Sequence, residues 1–408
     1  MLHYFRDFKR LTLKQIVLIW IVAIIVLWTG GFVLRAFRPD HVLFILTIVM
    51  MGSLALGRTK ARLFLRDWTP YFLFWLGYDM LRGVADQMRR INIEEVVVWE
   101  RAAVGWITRW ISGPASPSLA AAAQRVSPVN DHLCGAYASA PQCCESTEAM
   151  IECKLGLVVH QSQWQGFLQG DIPPFAMQAW KLVNDGTLLV KVLDVFTGTA
   201  YAVHFFMPWI VGFIFWGWRK DRELFFRFTY TLAILNLMGL VTYALLPAAP
   251  PWYVLKYGFA QPEIEHHVIG GAAGLAKLDK LLGINFFGLV WGTLNPNRFA
   301  AVPSLHGGHS LTCAIFCAWG FRELKVWQRS LFFLYPAVMW FAAVYLNHHY
   351  VIDLLWATGY IAVGIFLVQK VIYPYWIAKY LMDTGEEAEA GEGPPGKPPE
   401  IAGNDPSI

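Results

Sequence analysis

The stretch FAAVPSLHGGHSLTCAIFCAWGF, residues 299–321, contains no Asp, Glu, Lys or Arg, yet it places Ser304, His306, His309 and two adjacent glycines near one end. A helix needs about 20 apolar residues to cross the hydrocarbon of a bilayer. Polar groups at that depth are costly, and where they occur they usually mark function. The stretch therefore reads as a membrane span whose first turns carry chemistry. The rest of the chain agrees with the first half of that reading. Its 408 residues are 56% hydrophobic and only 15% charged, with 19 Trp and 28 Phe, where a soluble domain carries about a quarter charged residues. Charge-free runs recur at 16–34, 41–57, 195–218, 228–255, 330–352 and 354–369. A weaker run, 68–85, holds Asp79 and Arg82, an i,i+3 pair that can offset each other's burial. The expectation is an all-α integral membrane protein of about eight transmembrane helices. The first run is too long and too late for a cleavable signal peptide, so it reads as a retained helix.

The short connections fix an orientation. Arg6, Lys9, Arg10 and Lys14 precede the first span, and Arg58, Lys60, Arg62 and Arg66 follow the second. Arg219, Lys220, Arg222 and Arg227 join one later pair, and Arg322, Lys325 and Arg329 the next. Every second connection is basic, which places these loops in the cytoplasm. The phase holds only if 68–85 crosses. Cys134, Cys143, Cys144 and Cys153 then fall in an exported region, where four cysteines suggest up to two disulfides with pairing open. Cys313 and Cys317, one turn apart in a span, read as packing residues.

The expected organisation is a basic segment and two-helix hairpin (1–67), a membrane helix (68–85), an external Cys-bearing region (86–190), a catalytic membrane core (191–380) and a disordered acidic tail (381–408). Within the external region, 94–111 suits a helix lying on the membrane surface. The formal net charge of +4, without a basic run interleaved with aromatics, gives no case for nucleic acid.

By this topology AVPSLHGGHS lies at the external surface. Pro303 suits a first helical turn, and a helix N-terminus is a ready anion site. Ser304, His306, Gly307 and Gly308 would face a ligand, with Arg298 just upstream. A second stretch, NHHYVIDLL at 347–355, reaches the same surface independently. His349 and Asp353 are four apart, on one helical face. A carboxylate there fixes one imidazole nitrogen as donor and leaves the other able to attack. His266 and His267 read as solvated, and His309 and His348 as facing elsewhere. A Ser304–His306–Asp353 hydrolase triad lacks a nucleophile elbow, and no HExxH zinc motif is present.

PSLH followed some forty residues later by HHYVID resembles the second and third signatures of the type 2 phosphatidic acid phosphatase superfamily. The usual second signature has Gly where this chain has Leu305, and the usual Ser-Arg ahead of the third is replaced by Ala342 and Ala343. With PAAPPWYVLKYG (247–258) and YAVHFFMP (201–208), the pattern is similar to the inositol phosphorylceramide synthase branch. The resemblance implies a six-helix catalytic core, with His349 as nucleophile forming a phosphohistidine, Asp353 orienting it and His306 moving protons. It also implies Arg298, Ser304, Gly307, Lys256 and His204 as candidates for substrate binding, with neither metal nor cofactor. The partners implied are a lipid donor and a lipid or water acceptor. Three readings stay open: headgroup transfer between lipids, with phosphoinositol as a candidate headgroup; hydrolysis of a lipid phosphate; and a non-catalytic transporter or scaffold. The expected location is a bacterial plasma membrane with the site on the periplasmic side.

Overall fold

The computed structural model describes residues 18, 22, 62–72, 75, 90–112, 172–184, 186–257, 279–280, 282–284 and 298–382. The described residues are helical, joined by turns, with two isolated bridges and no strand among them. The expected spans 16–34 and 41–57 lie almost wholly outside them, as do Asp79, Arg82, the acidic tail and the cysteines at 134, 143, 144 and 153.

Among the described residues the following α-helices build the fold. They are α1 (Glu94–Ser112), α2 (Pro173–Val183), α3 (Leu188–Val203), α4 (Met207–Phe213), α5 (Arg222–Leu245), α6 (Pro251–Tyr257), α7 (Leu305–Gly320), α8 (Val326–Ser330), α9 (Leu334–Tyr345) and α10 (Val351–Leu367). Among the described residues, α5 and the continuous run Val351–Met382 are long and apolar enough to cross a membrane, and α3 with the Met207–Trp218 segment makes a third if the bent pair counts as one. The expected number of eight spans exceeds this, as does a core of six full-length membrane helices.

The span read as 195–218 is bent by 52°. Pro208 supplies the reason. It has no N–H to return to the carbonyl of residue 204, and its ring crowds that carbonyl. The chain passes the gap as a 3₁₀ turn, His204–Phe206, before α4 begins. The span read as 228–255 is also different: α5 starts six residues earlier and stops at Leu245. The sequence LLPAAPP then folds back, with Ala248 bridged to both Asn92 and Ala300. Prolines at 247, 250 and 251 remove the donors that a continuing helix would need.

The surface suits lipid. Leu189, Val192, Phe196, Val203, Phe206, Ile210 and Phe213 are exposed and recur every three to seven residues, so one apolar face continues across the bend. Polar side chains turn inward instead. Thr197, Thr229, Thr231, Thr242 and Thr312 donate to carbonyls one turn back, which satisfies each hydroxyl without water.

α7 is held between α5 and α10 through two glycines. A Cβ on Gly307 would sit 2.3 Å from Leu354 Cδ2, and one on Gly308 2.9 Å from Leu235 Cδ2. Close helix contact at small residues is the usual packing device where water gives no drive between helices. At one end of the bundle Phe64, Trp68, Phe225, Phe228 and Phe316 form a buried aromatic core. The basic loops meet there: Arg219 pairs with Glu323 at 2.6 Å, and Arg222 grips Asp67 through two nitrogens at 2.8 Å each. The histidines lie toward the other end of α5: His309 meets Asn236, about 21 Å along the helix from Arg222 at 1.5 Å per residue.

Candidate active site

Two helix starts and one bend bring the histidines together. α7 begins after Ser304, whose Oγ accepts from Gly307 N at 3.3 Å. Pro303 therefore precedes the cap instead of opening the helix, and its carbonyl accepts from Tyr243 Oη at 2.6 Å. Ser304 is buried and its backbone N–H donates to the Asp353 carbonyl at 3.0 Å, so it ties the start of α7 to the start of α10. Gly307 faces Leu354 and Trp340 rather than open space. The structure thus gives Ser304 a capping contact and Gly307 a packing contact. His306 follows the cap, half-buried.

His349 is set by the end of α9. Asn347 takes a left-handed conformation (φ 59°), which Asn tolerates better than most residues. Its N–H donates to Val344 O, and His348 N donates to Ala343 O. This is a Schellman-type ending with Asn in the usual glycine position. The Asn347 side chain donates to Gln178 Oε1 at 2.8 Å, and its carbonyl accepts from Trp252 N at 3.0 Å, so α2 and α6 both brace the turn.

The His349 Nδ1 faces Asp353 Oδ2 at 3.1 Å and the Ala301 carbonyl at 3.0 Å. Both partners are acceptors, so Nδ1 carries the hydrogen and Nε2 keeps its lone pair. Asp353 Oδ2 also accepts from Tyr350 N at 2.8 Å, and the residue is fully buried. Removing that carboxylate would leave a buried donor unsatisfied, a cost of about 1–3 kcal/mol.

The His306 and His349 rings are 5.3 Å apart by centroid, close enough for one phosphoryl group to touch both. His204, at the Pro208 bend, completes the cluster: its Nε2 pairs with His306 Nδ1 and its Nδ1 with the Tyr201 carbonyl. The Tyr201 ring packs on His306 at 4.7 Å and stacks on His348 at 4.8 Å and 13°. His348 therefore belongs to the ring cluster, contrary to the expectation that it faces elsewhere. His309 lies one turn deeper and pairs with Asn236 Oδ1 at 3.0 Å. Arg298 sits half-buried in the turn leading to the Ala300 bridge, beside Phe299. Lys256 belongs to α6, with its side chain outside the described residues. Among the described residues no group of His, Cys, Asp and Glu is arranged to hold a metal ion.

Glu100 is the contact that sequence reading missed. This residue of α1 is fully buried, and its carboxylate accepts from Val351 N at 3.0 Å and Ile352 N at 2.7 Å. It caps the helix that carries Asp353 from 251 residues away. Trp99 stacks on Trp356 at 6.3 Å beside it. Burial pushes the Glu100 carboxyl up to about 7, with the two backbone donors pulling the other way and Asp353 adding to the rise. In sequence Glu100 lies on the helix expected at the membrane surface, and nothing local pairs it with α10.

Comparison with known proteins follows the same residues. Residues 175–368, which include His204, His306, His349 and Asp353, match the model of the PAP2 superfamily. The match covers 194 of the chain's 408 residues. It is 35% identical over 164 residues to the phosphoinositol dihydroceramide synthase of Bacteroides thetaiotaomicron, covering 40% of this chain and 52% of that protein. It is 34% identical over 164 residues to the inositol phosphorylceramide synthase catalytic subunit AUR1 of Saccharomyces cerevisiae, covering 40% and 39%. For the inositol phosphorylceramide synthase of Candida albicans the figures are 33% over 175 residues, 41% and 34%. The chain spans about half, or less, of the length of these curated relatives. No solved structure matches it. α1 and its Glu100 lie outside the family match.

Proposed function

We propose that the protein is a membrane phosphotransferase that moves phosphoinositol from a donor lipid to the hydroxyl of a ceramide-type acceptor, through a phosphohistidine on His349. The observation that carries the proposal is the pair of rings at 5.3 Å, one of them held through Nδ1 by a buried carboxylate. The substrate class comes from the relatives, which bear the names of phosphoinositol dihydroceramide and inositol phosphorylceramide synthases.

In the first step the His349 Nε2 lone pair attacks phosphorus and the bond to the donor's glycerol oxygen breaks. His306 protonates that oxygen, and diacylglycerol leaves. Asp353 holds the positive charge that develops on the His349 ring. In the second step His306 takes the proton from the acceptor hydroxyl, whose oxygen attacks the phosphohistidine and releases His349. Two displacements of modest barrier replace one difficult one, and each positioned acid or base is worth on the order of 10²–10⁴ in rate. Arg298 and Lys256 would balance phosphoryl charge. His204, Ser304 and Gly307 support the site through contacts with His306 and the two helix starts.

Transfer is favoured over hydrolysis by burial. His349 is 4% exposed, which limits access of water to the nucleophile. The site lies at the end of the bundle away from the basic loops, which by the positive-inside rule is the external side of the membrane.

The test uses purified protein with inositol-labelled phosphatidylinositol, with and without ceramide or diacylglycerol. Label moving onto the acceptor, absent in His349→Ala, is the expected result. Free inositol phosphate released at the same rate with or without acceptor would favour the phosphatase reading.

A further inference from the structure

The two histidines at the centre of the site are held by different chemistry. His349 has a carboxylate partner, whereas His306 has another imidazole. The second arrangement forms a chain with one end fixed. The Tyr201 carbonyl can only accept, so His204 Nδ1 must carry the hydrogen in that contact. In a neutral His204 ring the Nε2 is then the lone-pair nitrogen and accepts from His306 Nδ1. Nδ1 of His306 must therefore be the donor, and Nε2 the nitrogen that gains and loses a proton.

We infer that His204 is a positioning residue that locks His306 in its Nδ1–H form, so that Nε2 alone exchanges protons with the lipid oxygens. The inference rests on the proposed reaction for its consequence, though not for its geometry. When His306 is charged it carries a proton on each nitrogen. The Nδ1 proton stays on the bond to His204, and the Nε2 proton leaves with the departing lipid oxygen. The acceptor hydroxyl then returns one proton to Nε2. His204 gains and loses none, because its own hydrogen remains on the Tyr201 carbonyl.

The fold builds this contact deliberately at one place. The bend before Pro208 interrupts the span at His204, which turns an otherwise membrane-buried residue toward the start of α7. The His204 and His306 rings lie 4.3 Å apart by centroid, with their planes at 73°, and the contact between them runs from His306 Nδ1 to His204 Nε2. Tyr201 packs against both rings, at 5.3 Å and 4.7 Å, and limits their rotation. A neutral partner suits an acid. Unlike a carboxylate, imidazole does not hold the charged form strongly, so His306 gives its proton up readily.

Two variants separate this role from packing. His204→Gln keeps an acceptor oxygen for His306 Nδ1–H, whereas His204→Leu keeps volume without an acceptor. The expected result is a fall in kcat on the order of 10- to 100-fold for His204→Leu, with KM for the donor lipid near that of the unaltered protein and most of kcat restored in His204→Gln; whole removal of an acid or base typically costs 10²–10⁴. His204→Leu added to His306→Ala should cost nothing further, because the two act as one unit. Equal losses in Leu and Gln, or a loss carried by KM, would overturn the positioning role. A second readout does not need turnover. In protein labelled with ¹⁵N-histidine, the His306 signals, assigned by their absence in His306→Ala, should show a protonated Nδ1 and a bare Nε2, and a tautomer mixture in His204→Leu. An Nε2–H tautomer in the unaltered protein would contradict the inference even if the proposed reaction stands. The expected tautomer in a protein that transfers no headgroup would instead count against the reaction alone.

Discussion

The two ends of the helix bundle solve the problem of charge in different ways. At the basic-loop end, charges are permanent and paired: Arg222 holds Asp67 by a fork of two hydrogen bonds, Arg227 reaches Glu223, and Arg219 reaches Glu323. Guanidinium does not titrate in the working range, so such contacts hold position and move no protons. At the other end one buried pair, Lys181–Asp194 at 3.3 Å, braces Tyr345 at the end of α9, while the groups that meet at the site itself are imidazoles, paired with one carboxylate, one another and backbone carbonyls. Every partner there selects which nitrogen bears a hydrogen. One end anchors the fold in the membrane and the other is arranged for proton traffic, and substitutions should separate the two.

The largest effect belongs to the histidine end. His349→Ala and His306→Ala should each lower transfer by 10²-fold or more with little change in thermal stability, read by a labelled-headgroup assay. Asp353→Asn should come close to them. An amide can donate to His349 Nδ1 and so select the wrong tautomer, while Tyr350 N keeps an acceptor only if the amide oxygen turns to it. Activity within a few-fold of normal in that variant would show that the carboxylate does not orient the ring.

Glu100 tests whether a helix outside the family match belongs to the site end. Glu100→Ala leaves two buried N–H groups at the start of α10 without their acceptor, a loss of about 1–3 kcal/mol of stability. Glu100→Gln sharpens the point through pH. The folded carboxyl sits near 7, above the ordinary 4.5. Its contribution to stability is full below about 4.5 and is lost as pH rises through 7. Unfolding followed from pH 5 to 8 should therefore show the unaltered protein losing stability relative to Glu100→Gln. Parallel curves would mean that the carboxyl keeps its ordinary value.

Packing comes next. Gly307→Ala drives a methyl into Leu354 and should cost about 1–3 kcal/mol, with activity falling as α7 and α10 separate. The smallest effect is expected at the opposite end. Glu323→Ala removes a contact whose acid is more than half exposed, and should leave both stability and transfer nearly unchanged. A large activity loss there would erase the contrast between the two ends.

How much of this was legible in the sequence depends on distance along the chain. The His349–Asp353 pair is an i,i+4 contact, so spacing alone placed both groups on one face. The alternation of basic loops brought His306 and His349 to the same end without any knowledge of packing. The stops of the helices were partly legible: the prolines after Leu245 signal a break that a hydropathy run passes over, and Asn347 is a residue that ends helices. Contacts between distant segments were not legible. The Glu100 carboxylate meets α10 across 251 residues, and the His204 ring meets His306 across 102. Gly307 has no local cue to show that Leu354 occupies the space beside it, and the tightness of that space is a property of two helices.

The most direct test of the account is to trap the covalent intermediate. Inositol-labelled donor lipid is mixed with the protein without acceptor, quenched in denaturant at alkaline pH, and the protein is digested and mapped. Acid-labile label is expected on the peptide containing His349, lost within one turnover when ceramide is added and absent from His349→Ala. Labelled product forming at the full rate while no peptide ever carries label would contradict it, because transfer would then pass directly from lipid to lipid.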